Sequence, residues 1–199
     1  MLYGSGVVYR YSMNVYDFDG TIYRGDSTVD FFAYCIKRYP WLVLYVPYQL
    51  IVIMAYKVGL CSKECEKSAF FSFLRVIPDV RTVVMQFWET HRGKMEDWYY
   101  AVQKEDDVVI SASPRFLLSP ICSELGVRNL IASEVDCKTG RFNTLNCYGE
   151  EKVKRFYELF PHGNVDAFYS DSCSDRPMTL LAKRSYLVKK GKITKWDNI

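Results

Sequence analysis

Extended blocks of like charge are absent from this sequence: 26 lysines and arginines stand against 23 aspartates and glutamates, and the net charge of +3 is scattered over 199 residues. Like charges gather only in short groups such as Lys189-Lys190 and Glu150-Glu151. A nucleic-acid-binding surface therefore has no compositional support. Histidine is scarce, with His91 and His162 standing alone. Cys61 and Cys65 could be half of a zinc site, but no second pair or histidine cluster accompanies them, so structural thiols are the better reading. The seven cysteines are odd in number and scattered, and no charged start followed by an apolar leader run is recognisable. A reducing cytoplasm is the expected compartment.

An uninterrupted apolar run of the roughly 20 residues that a bilayer requires is missing as well. The nearest approach, WLVLYVPYQLIVIMAY at residues 41–56, is broken by Pro47 and Gln49. A buried or oligomer-forming helix is expected there, with membrane association as the lesser alternative. The oligomeric state itself stays open.

What is present is the composition of a folded protein, 49% hydrophobic and 25% charged. The length suits one sizeable core, or a core with a smaller insertion. Short apolar runs at residues 14–18, 107–113, 129–133, 165–170 and 185–190 read as buried strands. Helical patterns separate most of them: residues 114–126 end in a glycine, and residues 150–161 place Val153, Phe156, Tyr157 and Phe160 on one face before a proline. This alternation predicts an α/β fold, a Rossmann-like parallel sheet core with helices on both faces. Residues 133–144, with a Lys-Thr-Gly turn, suit a small hairpin. Residues 28–103 carry helical patterning without strand signals, far more than a crossover needs, and predict an inserted α-helical cap subdomain. The expected organisation is an N-terminal extension or added edge strand at 1–13, a core at 14–27 and 104–199, and a helical cap at 28–103.

The stretch VYDFDGTIYRGDS, residues 15–27, places Asp17 and Asp19 at the end of the first expected strand. Ligands of open α/β sheets bind beyond the carboxyl ends of the strands. Residues i and i+2 of a strand can share one side, and Gly20 lets the backbone turn away behind them. Neighbouring carboxylates repel unless a cation or a proton sits between them. More oxygen ligands are at hand, because YSDSCSD supplies Asp171 and Asp175 at the end of another expected strand. Taken singly, each aspartate is a turn or helix-cap residue. Together, at matching strand ends, they predict a hard-cation site suited to Mg²⁺. Ser111, and the following amides including that of Ala112, can bind phosphate oxygens, and Lys152 opens a helix whose start favours anions. Lys154 is the fallback if that helix is shifted by two residues. Arg24, Arg75 and Arg115 are substrate-side cations only if they are not ordinary solvated or paired arginines, and the ordinary reading is favoured. The tail at 187–196, with its lysines and Trp196, either closes over the site or finishes the sheet, the second being favoured.

Taken in order, VYDFDGTI, VISAS, GEEK and YSDSCSD resemble the four signature motifs of the haloacid dehalogenase superfamily. The helical insert after the first motif is similar to the cap of the branch that includes phosphoserine phosphatases. The resemblance implies a Mg²⁺-dependent phosphatase acting on a small phosphorylated metabolite. Asp17 would be the nucleophile that becomes an aspartyl phosphate, and Asp19 the acid and then the base. Mg²⁺ would be held by the Asp17 side chain, the Asp19 carbonyl and Asp171. Ser111, Ala112 and Lys152 would bind the phosphoryl group, with Asp175, Gly20 and Thr21 in support. The presence of Asp19 favours phosphoryl chemistry, since the dehalogenating members lack that second carboxylate. Asp26 stands where phosphoserine phosphatases carry a longer acid that grips the serine amino group, and Ala112, Ser113 and Pro114 replace their glycines. The alternatives are a phosphotransferase using the same aspartyl phosphate, or a non-catalytic or membrane-associated binding protein that keeps the fold.

Overall fold

The structure, a computed structural model, describes residues 12–196. Residues 1–11 of the expected extension thus lie outside the described residues, whereas Ser12 and Met13 already belong to the first strand. The strands are β1 (Ser12–Tyr16), β2 (Val108–Pro114), β3 (Asn129–Ser133), β4 (Asn164–Ser170), β5 (Ala182–Lys189) and β6 (Lys192–Lys195). They form one sheet in the order β3-β2-β1-β4-β5-β6, parallel throughout except for the last pair. The Rossmann-like α/β expectation is met. The order reverses beside β1, so the crevice between the carboxyl ends of β1 and β4 is the topological switch point where such sheets bind ligands.

Two strands depart from expectation by more than one residue. β1 starts and ends two residues earlier than residues 14–18, because Ser12 already pairs with Asn164 while the Phe18 carbonyl accepts the amides of Ile22 and Tyr23 at 3.0 Å in a tight turn. β5 starts at Ala182 rather than residue 185, and its partner β6 returns antiparallel through Lys190 and Gly191, both at positive φ (50° and 74°). The basic tail therefore finishes the sheet.

The central strands of the sheet are covered on both faces, as their apolar sequences require. Val15, Val108 and Ile110 point to one side, where they meet Phe156 of α7 (Glu150–Leu159) and Met178 of α8 (Arg176–Thr179). Tyr16 and Val109 point to the other, against Leu117, Leu118 and Ile121 of α6 (Arg115–Glu124).

Between β1 and β2 the chain forms α1 (Ser27–Arg38), α2 (Tyr45–Lys57), α3 (Lys63–Phe70), α4 (Val80–His91) and α5 (Asp97–Val102), with 3-10 turns at Pro40–Leu44, Phe71–Val76 and Arg92–Lys94. Asp26 and Asp79 cap α1 and α4 by accepting the amides of Val29 and Thr82 at 2.9 and 3.1 Å. The helices do not keep a core to themselves. Phe31, Phe73, Phe87 and Trp88 share one buried cluster with Tyr16 and Leu117, and Trp88 Nε1 donates to the Leu117 carbonyl at 2.7 Å. The small hairpin at 133–144 reduces to a single antiparallel bridge, Val135 to Phe142, whose turn touches the insert: a Cβ on Gly140 (φ 71°) would run into the Phe71 carbonyl.

The expectation of a buried helix at residues 41–56 is not met within this chain. Only Leu42 and Gln49 are buried between residues 40 and 60, and most of the large apolar side chains around them are exposed.

Candidate active site

Asp17 immediately follows β1, its amide donating to the Tyr169 carbonyl of β4 at 2.9 Å, so strand pairing carries the side chain to the switch point. Across the crevice, α7 begins behind Gly149 at positive φ (58°), which sets Lys152 inward in its first turn. Lys152 Nζ donates to Asp17 Oδ1 at 2.7 Å and to Asp175 Oδ2 at 2.8 Å, with all three residues buried. Ser170 Oγ donates to the same Asp175 oxygen at 2.7 Å and accepts the Ser172 amide at 3.1 Å, tying the loop after β4 to this ion pair. Burial favours the neutral amine, but the two carboxylates outweigh it and hold the Lys152 pKa above its ordinary value. Burial pushes the Asp17 carboxyl up, against the pull of Lys152.

Asp19 faces the same cavity from the other side of Phe18. Its Oδ1 accepts the Ser27 amide at 2.6 Å and its Oδ2 the Ser113 hydroxyl at 2.5 Å. Burial and the nearby Asp26 charge push its pKa up to about 6, with the Ser113 and Ser27 hydrogen bonds pulling the other way. A carboxyl of that kind exchanges a proton near neutrality, as general acid–base work requires. Ser113 is itself held by Thr28 Oγ1 at 2.9 Å and donates its amide to Ser111 Oγ at 3.0 Å.

Three features fit a hard divalent cation between the loops that follow β1 and β4. Asp175 Oδ1 is buried without a hydrogen-bond partner. Gly20, at positive φ (70°), lies so close to the Asp171 carboxylate that a Cβ would overlap it. The Asp17, Asp19 and Asp171 carboxyls are all raised, chiefly by burial and in part by a neighbouring carboxylate, so each is a carboxyl taken out of water with too little compensation. Among the described residues, no three histidine, cysteine, aspartate or glutamate side chains form a metal cluster of their own. A cation here would take two carboxylates and complete its shell with main-chain oxygen and water. That suits Mg²⁺, which keeps several waters, better than zinc.

The cavity over these groups encloses about 490 Å³. Asp17, Asp19, Ser111, Lys152, Asp171 and Asp175 line its floor, and Gln49 and Ile53 of α2 with Phe70 and Phe71 form its roof. The family model described as haloacid dehalogenase-like hydrolase matches residues 15–179, a span that holds every floor residue. The chain belongs to this hydrolase family. Protein CicA of Caulobacter vibrioides is 25% identical over 204 aligned positions, covering 89% of this chain and 86% of that protein. A protein of unknown function from Bordetella pertussis Tohama I superposes with a TM-score of 0.73 at 20% identity, over 88% of this chain and 89% of that one. A probable phosphoserine phosphatase from Vibrio cholerae gives 0.63 at 13% identity, over 88% and 55%. At these identities the likeness to the solved structures concerns the fold.

In this haloacid dehalogenase-like hydrolase, Asp17, Asp19, Gly20, Asp26, Ser111, Ala112, Lys152, Asp171 and Asp175 all line one cavity. Thr21 does not join them; it is buried with its hydroxyl unpartnered. Asp26 is exposed at the rim, and one of its oxygens is committed to capping α1. The fallback Lys154 points outward, 3.9 Å from both Glu151 and Glu158. The three arginines are engaged elsewhere: Arg24 with the Gly93 carbonyl, Arg75 with the Thr139 carbonyl and Arg115 with Glu134. Sequence reasoning missed Ser113 as the direct partner of Asp19. The signal was the hydroxyl in Ser-Ala-Ser, read only as a departure from glycine.

Proposed function

We propose that this hydrolase is a Mg²⁺-dependent phosphatase that cleaves a phosphate monoester of a small molecule through a phosphorylated Asp17. The observation that carries the reading is the buried Lys152 bridge between Asp17 and Asp175, set in one cavity with Asp19, Ser111 and Asp171. A lysine so placed keeps Asp17 oriented and supplies positive charge where a phosphoryl group gathers negative charge. An Asp17 oxygen attacks phosphorus as the bond to the leaving alcohol breaks, and Asp19 gives that alcohol its proton. Water then attacks phosphorus, Asp19 takes back a proton, and inorganic phosphate leaves Asp17 as a carboxylate. Ser113 holds Asp19 in place for both transfers. The Ser111 hydroxyl and the Ala112 amide bind phosphoryl oxygens. Asp17, Asp171 and the Asp19 carbonyl would hold Mg²⁺, whose charge would offset that of the phosphate. The relatives described as phosphoserine phosphatases share the fold, but Asp26 at the rim caps a helix, so phosphoserine itself is not assigned.

The test is phosphate release from an aryl phosphate by the purified protein. Release that needs Mg²⁺ and stops in EDTA supports the reading. No release from a broad panel of phosphate monoesters, with the protein folded and Mg²⁺ present, rejects it.

A further inference from the structure

α2 inverts the arrangement expected of a helix that faces water. Apart from Lys57 at its end, its one residue without an apolar or aromatic side chain is Gln49, and that residue is turned inward. Gln49 is 5% exposed, with Nε2 donating to the Phe70 carbonyl at 2.9 Å. Outward stand Leu50, Ile51 and Met54, at 56%, 67% and 59% exposure. The turn before α2 adds Trp41, Val43 and Leu44, and the residues after it add Val58 and Leu60. The surface is continuous with the catalytic cavity, because Ile53 of the same helix forms part of the cavity roof.

Charge says what covers this surface. From Phe31 to Lys63 there is no aspartate or glutamate, while Lys37 and Arg38 at the end of α1 and Lys57 at the end of α2 are exposed. A second copy would set an acid-free basic face against its like. An anionic lipid surface complements both the cations and the apolar side chains, and Trp41, Tyr48 and Tyr56 are ring types that favour that boundary. Among the described residues, no single helix is long and apolar enough to cross a membrane. α1 and residues 40–57 pass that test only as a pair bent by 120°, and α1 is pinned to the core by buried Phe31 and Cys35. The geometry is that of a segment lying in the headgroup boundary.

We propose that residues 41–60 seat the protein on an anionic lipid surface, and that the cavity takes from that surface a phosphate monoester with an apolar tail. The tail would follow α2 past Ile53 while the phosphate reaches Asp17. This substrate class rests on the phosphatase reading; the docking does not.

The experiment is flotation with vesicles of phosphatidylcholine alone or mixed with phosphatidylglycerol, alongside hydrolysis of an aryl phosphate in free solution. Binding to the mixed vesicles, weakened by salt, is expected. Ile51→Glu combined with Met54→Glu should lower that binding at least about tenfold. Lys37→Gln and Lys57→Gln should each lower it about fivefold. Aryl phosphate turnover should be unchanged in all of these variants, since none of the replaced residues lines the cavity. Absence of binding to either vesicle overturns the docking, as does a dimer that the Ile51/Met54 variant dissociates. With docking intact, equal turnover of short- and long-chain alkyl phosphates on vesicles overturns the substrate class. Loss of aryl phosphate turnover alone would instead reject the phosphatase reading.

Discussion

The floor and the roof of the cavity bury opposite kinds of side chain. On the floor, charged and polar groups are taken out of water and nearly all are partnered: Lys152 with Asp17 and Asp175, Asp19 with Ser27 and Ser113, Asp175 with Ser170. On the roof, α2 buries its amide and leaves Ile51 and Met54 in the open. Burying charge is costly unless it is compensated, so the floor's arrangement persists because each group is held by another. Exposing apolar surface is costly as well, and α2 does so above a floor whose polar groups are mostly partnered. The difference separates two proposed tasks: the floor would serve phosphoryl chemistry, and the roof the delivery of the substrate.

If the floor alone carries the chemistry, substitutions there should be severe and those on the roof mild. The largest expected effect is that of Asp17→Asn, which keeps the acceptor for Lys152 but removes the nucleophile; turnover should fall by about 10⁴-fold or more, read by phosphate release. Lys152→Met comes next. It leaves Asp17 and Asp175 buried without their cation, and urea unfolding should show a loss of about 3–5 kcal/mol together with lost turnover. Gly20→Ala forces a side chain into positive φ and onto the Asp171 carboxylate. It should cost about 1–2 kcal/mol in stability and raise the Mg²⁺ concentration needed for half-maximal turnover.

A pH series sharpens the same contrast. The Asp19 carboxyl is raised from 3.8 to about 6, so the folded chain holds this proton more tightly than the unfolded one. Its contribution favours the native state below pH 3.8 and is lost as pH rises through about 6. Asp19→Asn removes that loss, so in EDTA its melting temperature should exceed that of the parent more at pH 8 than at pH 4. The smallest effect belongs to the roof, where Gln49→Leu gives up one hydrogen bond to Phe70 and should cost about 1 kcal/mol, with turnover of a soluble ester changed far less than by the floor substitutions.

Much of the floor was legible in the sequence because strand ends are marked by their own pattern. Asp17 and Asp171 follow apolar runs, and parallel pairing of those runs places both beside the switch point. Lys152 was legible only to within two residues, since both lysines lie on one helix. The helix start behind Gly149 decides between them, sending Lys152 inward and Lys154 to Glu151 and Glu158. Ser113 was hidden because a small hydroxyl has no pattern of its own; its role arises from the crossing of β2 with the start of α1. β6 was legible only as a tail that finishes the sheet, without strand bounds, because every residue of it is exposed and it has no buried face to alternate. The exposure of α2 was left open between burial and an interface, because apolar content states what a helix avoids, water, and not what shields it.

The central claim is that Asp17 itself receives the phosphoryl group. Single-turnover reactions with an aryl phosphate, quenched in acid and mapped by peptide mass spectrometry, test it most directly. The account predicts one phosphoryl group on the peptide carrying Asp17, labile to hydroxylamine and absent in Asp17→Asn. Full turnover with no phosphorylated peptide, or with the label on another residue, would contradict it.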